Sequence, residues 1–287
     1  MLAAMPANLY ALGAIGLWAT LAALGVSLSH IPPFLLTGVA LLVGSLLALP
    51  FVLKDKKQWK IPATTLALGI YGLFGFHFLL FIALRHAPPV EANLVNYLWP
   101  LFMVLLAPLF LAGVRLRTVH VAAALLGFAG AAIAILGARH GAAGGAGWSW
   151  GYLPALGSAF IWASYSLLSQ RVPAFPTAAI GLFGALSGLL SLLCHWAWEP
   201  QVELSGRDWL LLAVMGLGPL GAAFFLWDKA LKLGDARQIG ILSYLTPLGS
   251  TALLMLVSGR AWTWSIGLAA LMIIGAAVLG TRGSAGR

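Results

Sequence analysis

Four tryptophans, Trp18, Trp99, Trp162 and Trp227, lie deep inside long apolar runs rather than at their ends. An indole offers broad apolar faces and one N–H donor, and Tyr97, Tyr165 and Tyr244 add hydroxyls. Side chains of this kind can line a cavity for a neutral or zwitterionic ligand with an apolar side chain. His77 is the one titratable group placed toward the middle of its run, eight residues before Arg85. That separation is about 12 Å along a helix, in a hydrocarbon core about 30 Å thick. His77 is either a ligand-binding or proton-coupling group, or a neutral histidine bonded to a neighbouring helix. Pro100 and Pro247 also lie well inside runs, where each removes a backbone hydrogen bond and bends its helix. The carbonyls of Asn96 and Ser243 are thereby freed, and both residues carry polar side chains. These are the candidate binding groups and hinges.

The remaining polar residues exclude several chemistries. All seven acids, Asp55, Glu91, Glu199, Glu203, Asp208, Asp228 and Asp235, fall in loops or near the ends of runs. No carboxylate at mid-depth argues against a carrier of permanent cations and against an ion site of paired carboxylates. None of the sixteen lysines and arginines lies at mid-depth either, which argues against phosphorylated sugars as cargo. There is no His-Glu-x-x-His run and no Gly-x-Ser-x-Gly elbow, so no catalytic residue, metal or cofactor is expected. The single cysteine, Cys194, forms no intramolecular disulfide and reads as a small apolar helix residue.

The elements that must position these groups are membrane helices. Charged residues make up 8% of the 287 and hydrophobic ones 61%, against about 25% charged in a soluble domain. Ten stretches are long and apolar enough to span a bilayer: 8–27, 33–53, 63–84, 90–112, 118–138, 151–170, 176–198, 209–228, 238–258 and 263–281. Lipid offers no partner for backbone N–H and C=O groups, and the runs lack the alternation of a β-barrel, so the fold class is all-α integral membrane. The seams carry helix-ending residues: Pro32-Pro33, Pro88-Pro89, the Gly-rich 141–147, Pro173 and Pro176, and Glu199-Pro200. Trp59, Trp148, Trp150, Trp196, Trp198, Trp209, Trp262 and Trp264 sit at span ends, as interfacial belts require.

Charge orients the spans. The side holding the N-terminus receives Lys54, Lys56, Lys57, Lys60, Arg115, Arg117, Arg171, Lys229, Lys232, Arg237, Arg282 and Arg287. The other side receives only Arg85, Arg139, Arg207 and Arg260. The positive-inside rule then makes both N- and C-termini cytoplasmic, with lipid as the surrounding partner. Positive charge scattered through loops in this way is topological, so no nucleic acid partner is expected from the net charge of +9.

A shift of 147 residues sets Glu91–Leu101 (EANLVNYLWPL) on Gln238–Leu248 (QIGILSYLTPL) and Ala83-Leu84-Arg85 on Ala230-Leu231-Lys232. A shift of 144 sets Gly13 and Trp18-Ala19 on Gly157 and Trp162-Ala163, and a shift of 145 sets Gly130–Ala132 on Gly275–Ala277. The chain reads as ten transmembrane helices in two inverted five-helix repeats, 1–140 and 151–287, inverted because five is odd. Secondary transporters of that build place their site at mid-membrane between the halves. Helices 5 and 10 are small-residue rich, as in Ala123, Gly127 and Ala131, and read as supporting or self-associating elements.

Ten spans in two inverted halves resemble the drug/metabolite transporter superfamily in its EamA-type branch. The segments VNYLWP (Val95–Pro100), FIWASYS (Phe160–Ser166) and SYLTP (Ser243–Pro247) resemble that branch's aromatic amino acid exporters of the bacterial inner membrane. The resemblance implies export of aromatic and some other neutral amino acids, and of some toxic compounds, from a central cavity open to one side at a time. It carries over Trp18, Tyr97, Trp99 and Trp162 as cavity-lining residues. Protons remain a possible coupling ion, and the residues leave the oligomeric state open.

Overall fold

The computed structural model describes residues 4–137, 148–258 and 264–284. Arg139, His140, the Gly-rich 141–147, Arg260, Trp262 and Arg287 lie outside the described residues. Within them the chain is helical and no strand occurs. Seven stretches are long and apolar enough to cross a membrane: α1 (Pro6–Ser27), α2 (Pro33–Lys54), α3 (Ala63–His86), α4 (Pro89–Phe110), α5 (Thr118–Leu136), α7 (Ala179–Trp198) and α8 (Gly206–Leu233). Three further helical stretches fall on the remaining expected spans. They are α6 (Tyr152–Leu168), α9 (Ala236–Leu242, then Leu245–Ser258) and α10 (Trp264–Ser284). The chain is a multi-pass membrane protein.

Local chemistry sets the helix ends. Proline opens α2 and α4 at a position whose N–H would have no helical partner. Ser205 and Asp208 form a reciprocal capping box at the start of α8, with Ser205 N donating to Asp208 Oδ2 at 2.9 Å. Asp235 caps α9 by accepting from Arg237 N at 2.9 Å. Burial pushes the Asp235 carboxyl up, but the hydrogen bonds and charge of Arg237 outweigh it and hold the carboxyl below its ordinary value.

Among the described residues six helices are irregular inside, α1 with a break at Thr20 and α2 with a tighter turn at Leu46–Ala48 among them. In α3 the turn Tyr71–Gly75 is π-helical, and in α8 the turn Gly218–Ala222 is π-helical. Both ends of these turns are 147 residues apart, the offset that sets Glu91–Leu101 on Gln238–Leu248 in the sequence. The expected kinks at Pro100 and Pro247 take a more abrupt form. α4 is interrupted at Tyr97-Leu98 and α9 at Ser243-Tyr244, so both prolines lie in the first turn of a new helical segment, where a missing N–H is tolerated.

The helices pair as α2 with α7, α5 with α10, α1 with α8, α6 with α3, α6 with α4 and α1 with α9. Adding five to each number, with eleven counted as one and so on, exchanges α1–α8 with α6–α3 and α6–α4 with α1–α9 and returns α2–α7 and α5–α10 to themselves. The α2 contacts need bare backbone: a Cβ on Gly44 would lie 2.7 Å from Gly216 O, and one on Gly216 2.6 Å from Ala40 O. Dispersion between such close helices replaces the hydrophobic effect, which is absent within lipid.

Candidate functional site

The four deep tryptophans come together from four helices. Trp18 of α1 lies with its ring centre 5.8 Å from Trp162 of α6 and 5.2 Å from Trp227 of α8. Trp99 of α4 is 6.4 Å from Trp162 and 5.5 Å from Trp227, both edge to face. Trp162 is the hub, touching Phe76, Tyr165 and Phe224 as well. Edge-to-face pairs of this kind set the positive rim of one ring on the negative face of the next. All four indoles are buried.

The π turns explain how two of these groups are held. A π turn breaks the regular i to i−4 ladder and leaves a carbonyl available for a side chain. Trp18 Nε1 donates to one such carbonyl, Pro219 O, at 3.1 Å. In α3 the π turn brings Gly72 under Tyr165, where a Cβ would stand 2.3 Å from the ring. Trp227 Nε1 donates to Ser166 Oγ at 3.1 Å. Each π turn is followed within two residues by members of the cluster: Phe76 and His77 in α3, and Phe224 in α8.

His77 is buried at the rim of this cluster, with its ring 6.3 Å from Phe224 and 5.0 Å from Phe76. Its Nδ1 is 2.6 Å from Leu73 O. A carbonyl only accepts, so Nδ1 carries the proton and the neutral ring presents Nε2 as an acceptor. Asn96 is buried at the end of the first α4 segment, and its Oδ1 accepts from Ser158 Oγ at 2.8 Å. Tyr97 occupies the α4 interruption and is half-buried. Ser243 turns its hydroxyl back to Gly240 O. Tyr244 is directed elsewhere: its ring fills the notch at Gly127 of α5, beside Phe128. Thus Trp18, His77, Trp99, Trp162, Tyr165 and Trp227 gather in one aromatic cluster, whereas Tyr244 packs toward α5.

Two buried acids stand out that position along the chain does not reveal. Glu199 follows α7, and its side chain is 0% exposed. It accepts from Phe34 N and Leu35 N at the start of α2, pairs with Arg85 Nη2 at 2.6 Å, and lies 3.1 Å from His195 Nδ1. Asp228, the residue after Trp227, is buried and accepts from Thr177 Oγ1 and Lys232 Nζ, both at 2.6 Å. The signal in the sequence was spacing: Asp228 and Lys232 are four residues apart on one face of α8, and Glu199 is four residues after His195, just past the end of α7.

The chain belongs to the EamA-like transporter family, which matches residues 5–136 and 149–282. It is 42% identical over 282 residues to the aromatic amino acid exporter YddG of Ancylobacter novellus, covering 96% of each protein. It is 28% identical to the aromatic amino acid exporter YddG of Escherichia coli over 95% of this chain and 96% of that one. A solved structure with 39% identity superposes with a TM-score of 0.88, covering 96% of this chain and 97% of the other. Family and relatives alike indicate a transporter rather than an enzyme.

Proposed function

We propose that this protein exports aromatic and other neutral amino acids across the bacterial inner membrane by alternating access. The observation that carries the reading is the convergence of Trp18, Trp99, Trp162 and Trp227 from α1, α4, α6 and α8. These helices come two from each half of the chain. Edge-to-face contacts that join the indoles to one another equally suit an incoming aromatic side chain. His77 Nε2 accepts from the substrate ammonium, and the Asn96 amide nitrogen donates to its carboxylate. Tyr97 and Tyr165 complete the cavity, whereas Ser243 and Tyr244, turned to Gly240 and to the Gly127 notch, act only by holding α9 in place. The names of the relatives support amino acids as the cargo.

The ten helical stretches α1–α10 are ten spans, with both termini cytoplasmic and the lysine- and arginine-rich face inward. Residues 1–140 and 151–287 are inverted five-helix halves. Three features support this: the separate family matches to 5–136 and 149–282, the π turns 147 residues apart, and helix pairings that interchange between halves. The interruptions before Pro100 and Pro247 are the hinges, because equivalent weak points in the two halves let one half rock against the other.

The test is uptake by proteoliposomes offered all twenty labelled amino acids, with and without a pH gradient. Tryptophan, phenylalanine and other neutral amino acids are the expected cargo, and no uptake of any amino acid would refute the assignment. If uptake responds to the gradient, His77→Gln is expected to abolish that response. A response that survives the substitution rules His77 out as the coupling group.

A further inference from the structure

A cleft of about 490 Å3 opens beside the end of α8 on the lysine- and arginine-rich face. Its walls include Gln170, Val172, Phe175, Leu231, Lys232 and Gly234. A volume of that size suits a small-molecule ligand. The Lys232 ammonium forms part of the wall, with its side chain 32% exposed and 4.0 Å from the centre of the Phe175 ring. It donates to Phe175 O at 2.8 Å and to Asp228 Oδ2 at 2.6 Å. Asp228 lies behind it, only 4% exposed, and immediately precedes no loop: it follows Trp227, whose ring touches Trp18 and Trp99. The ion pair therefore borders the cleft through Lys232, and its acid is the chain neighbour of Trp227.

An ion pair with one buried partner contributes little net stability, since well-packed apolar residues often do as well in its place, and that leaves its charges available for recognition. An α-amino acid carries the same two charges on neighbouring atoms. When its carboxylate meets Lys232 and its ammonium meets Asp228, one internal pair becomes two pairs with the ligand and no charge is left alone. A ligand with one charge cannot do this. An amine strands the lysine and a carboxylic acid strands the aspartate, and an unpaired buried charge is costly. The Phe175 ring and the Leu231 and Val172 side chains supply an apolar surface for the substrate side chain.

We propose that this cleft is a loading subsite for zwitterionic amino acids, read by exchange with the Lys232–Asp228 pair before the substrate reaches the tryptophans. The proposal rests on the amino acid reading above and adds a basis for rejecting amines and acids. It is tested in inside-out membrane vesicles, where uptake of labelled tryptophan reports loading from the lysine-rich face. Unlabelled tryptophan should compete in the wild type, whereas tryptamine and indole-3-propionate should not. Lys232→Gln should raise the apparent KM for tryptophan about tenfold, with a smaller fall in maximal rate, because one charge pair is lost. It should also admit tryptamine, whose ammonium then pairs with the freed Asp228. Asp228→Asn should do the reverse and admit indole-3-propionate. Lys232→Arg keeps the charge and should keep the wild-type rejection of both, which holds the test open if Lys232→Gln fails to reach the membrane. Normal tryptophan uptake with selectivity unmoved in Lys232→Gln and Asp228→Asn overturns the subsite alone. Absence of any amino acid uptake by the wild type overturns the transport reading and the subsite with it.

Discussion

Glu199→Ala should lower the melting temperature of the detergent-solubilised protein by about 10 °C, equivalent to some 3–5 kcal/mol. The carboxylate satisfies two amides of α2, the guanidinium of Arg85 and the imidazole of His195 at once. Its removal leaves two backbone amides and the His195 ring facing a void, and buried donors without an acceptor are costly, whereas the part-exposed Arg85 turns to solvent. Three helices meet there, since Phe34 lies in the first turn of α2, Arg85 in the last turn of α3 and His195 in the last turn of α7. Glu199→Gln retains an acceptor for the amides while losing the ion pair, so its melting temperature should fall between the two. Size-exclusion chromatography after a temperature series gives the comparison. A shift of less than about 2 °C for the alanine variant would show that the cluster does not hold these helices together.

The largest effect on transport is expected from Trp162. Its ring contacts Trp18, Trp99, Trp227, Phe76, Tyr165 and Phe224, more partners than any other member of the cluster. Those contacts make alanine a poor probe, because truncating a buried tryptophan costs about 3–5 kcal/mol and mixes folding with function. Trp162→Phe keeps an aromatic ring while removing the N–H and part of the apolar face. Tryptophan uptake per molecule of protein should fall about tenfold, the scale expected when a shaped apolar pocket loses part of its fit. The elution profile should remain that of the wild type. Uptake within a factor of about two of wild type would remove Trp162 from the substrate path.

Much of the fold was legible because lipid leaves the chain few options. Runs of about 20 apolar residues must be helices, and prolines at 33 and 89 mark where helices begin. Three of the tryptophans were legible for the same reason: depth in a run is a distance along a helix, and Trp18, Trp99 and Trp162 lie near the middle of theirs. Trp227 joins them because α8 continues to Leu233, past the end of the expected run. Azimuth was not legible. Tyr97 and Tyr244 match under the repeat, yet Tyr244 turns to Gly127, because a glycine on α5 opens a notch that the chain position of Tyr244 does not announce. Asp228 and Glu199 were hidden differently. Their places at helix ends suggested solvated acids, and only the partners supplied by α2, α3 and the Thr177 region show them to be enclosed. The π turns were invisible too, since an extra residue in a turn leaves apolar composition unchanged.

Those two π turns bear on the history of the gene. Tyr71–Gly75 and Gly218–Ala222 share almost no residue identity, yet they start and finish at matching places. A π turn arises when one residue is inserted into a regular helix, and such insertions persist where they serve a site. On the two-half reading, an insertion at the same place in both halves was inherited by both from a single ancestor. On the same reading the five-helix precursor would have acquired it before duplication, its two copies meeting in opposite orientations. The binding centre would on that account be older than the fused chain, first built at the contact between two separate identical subunits.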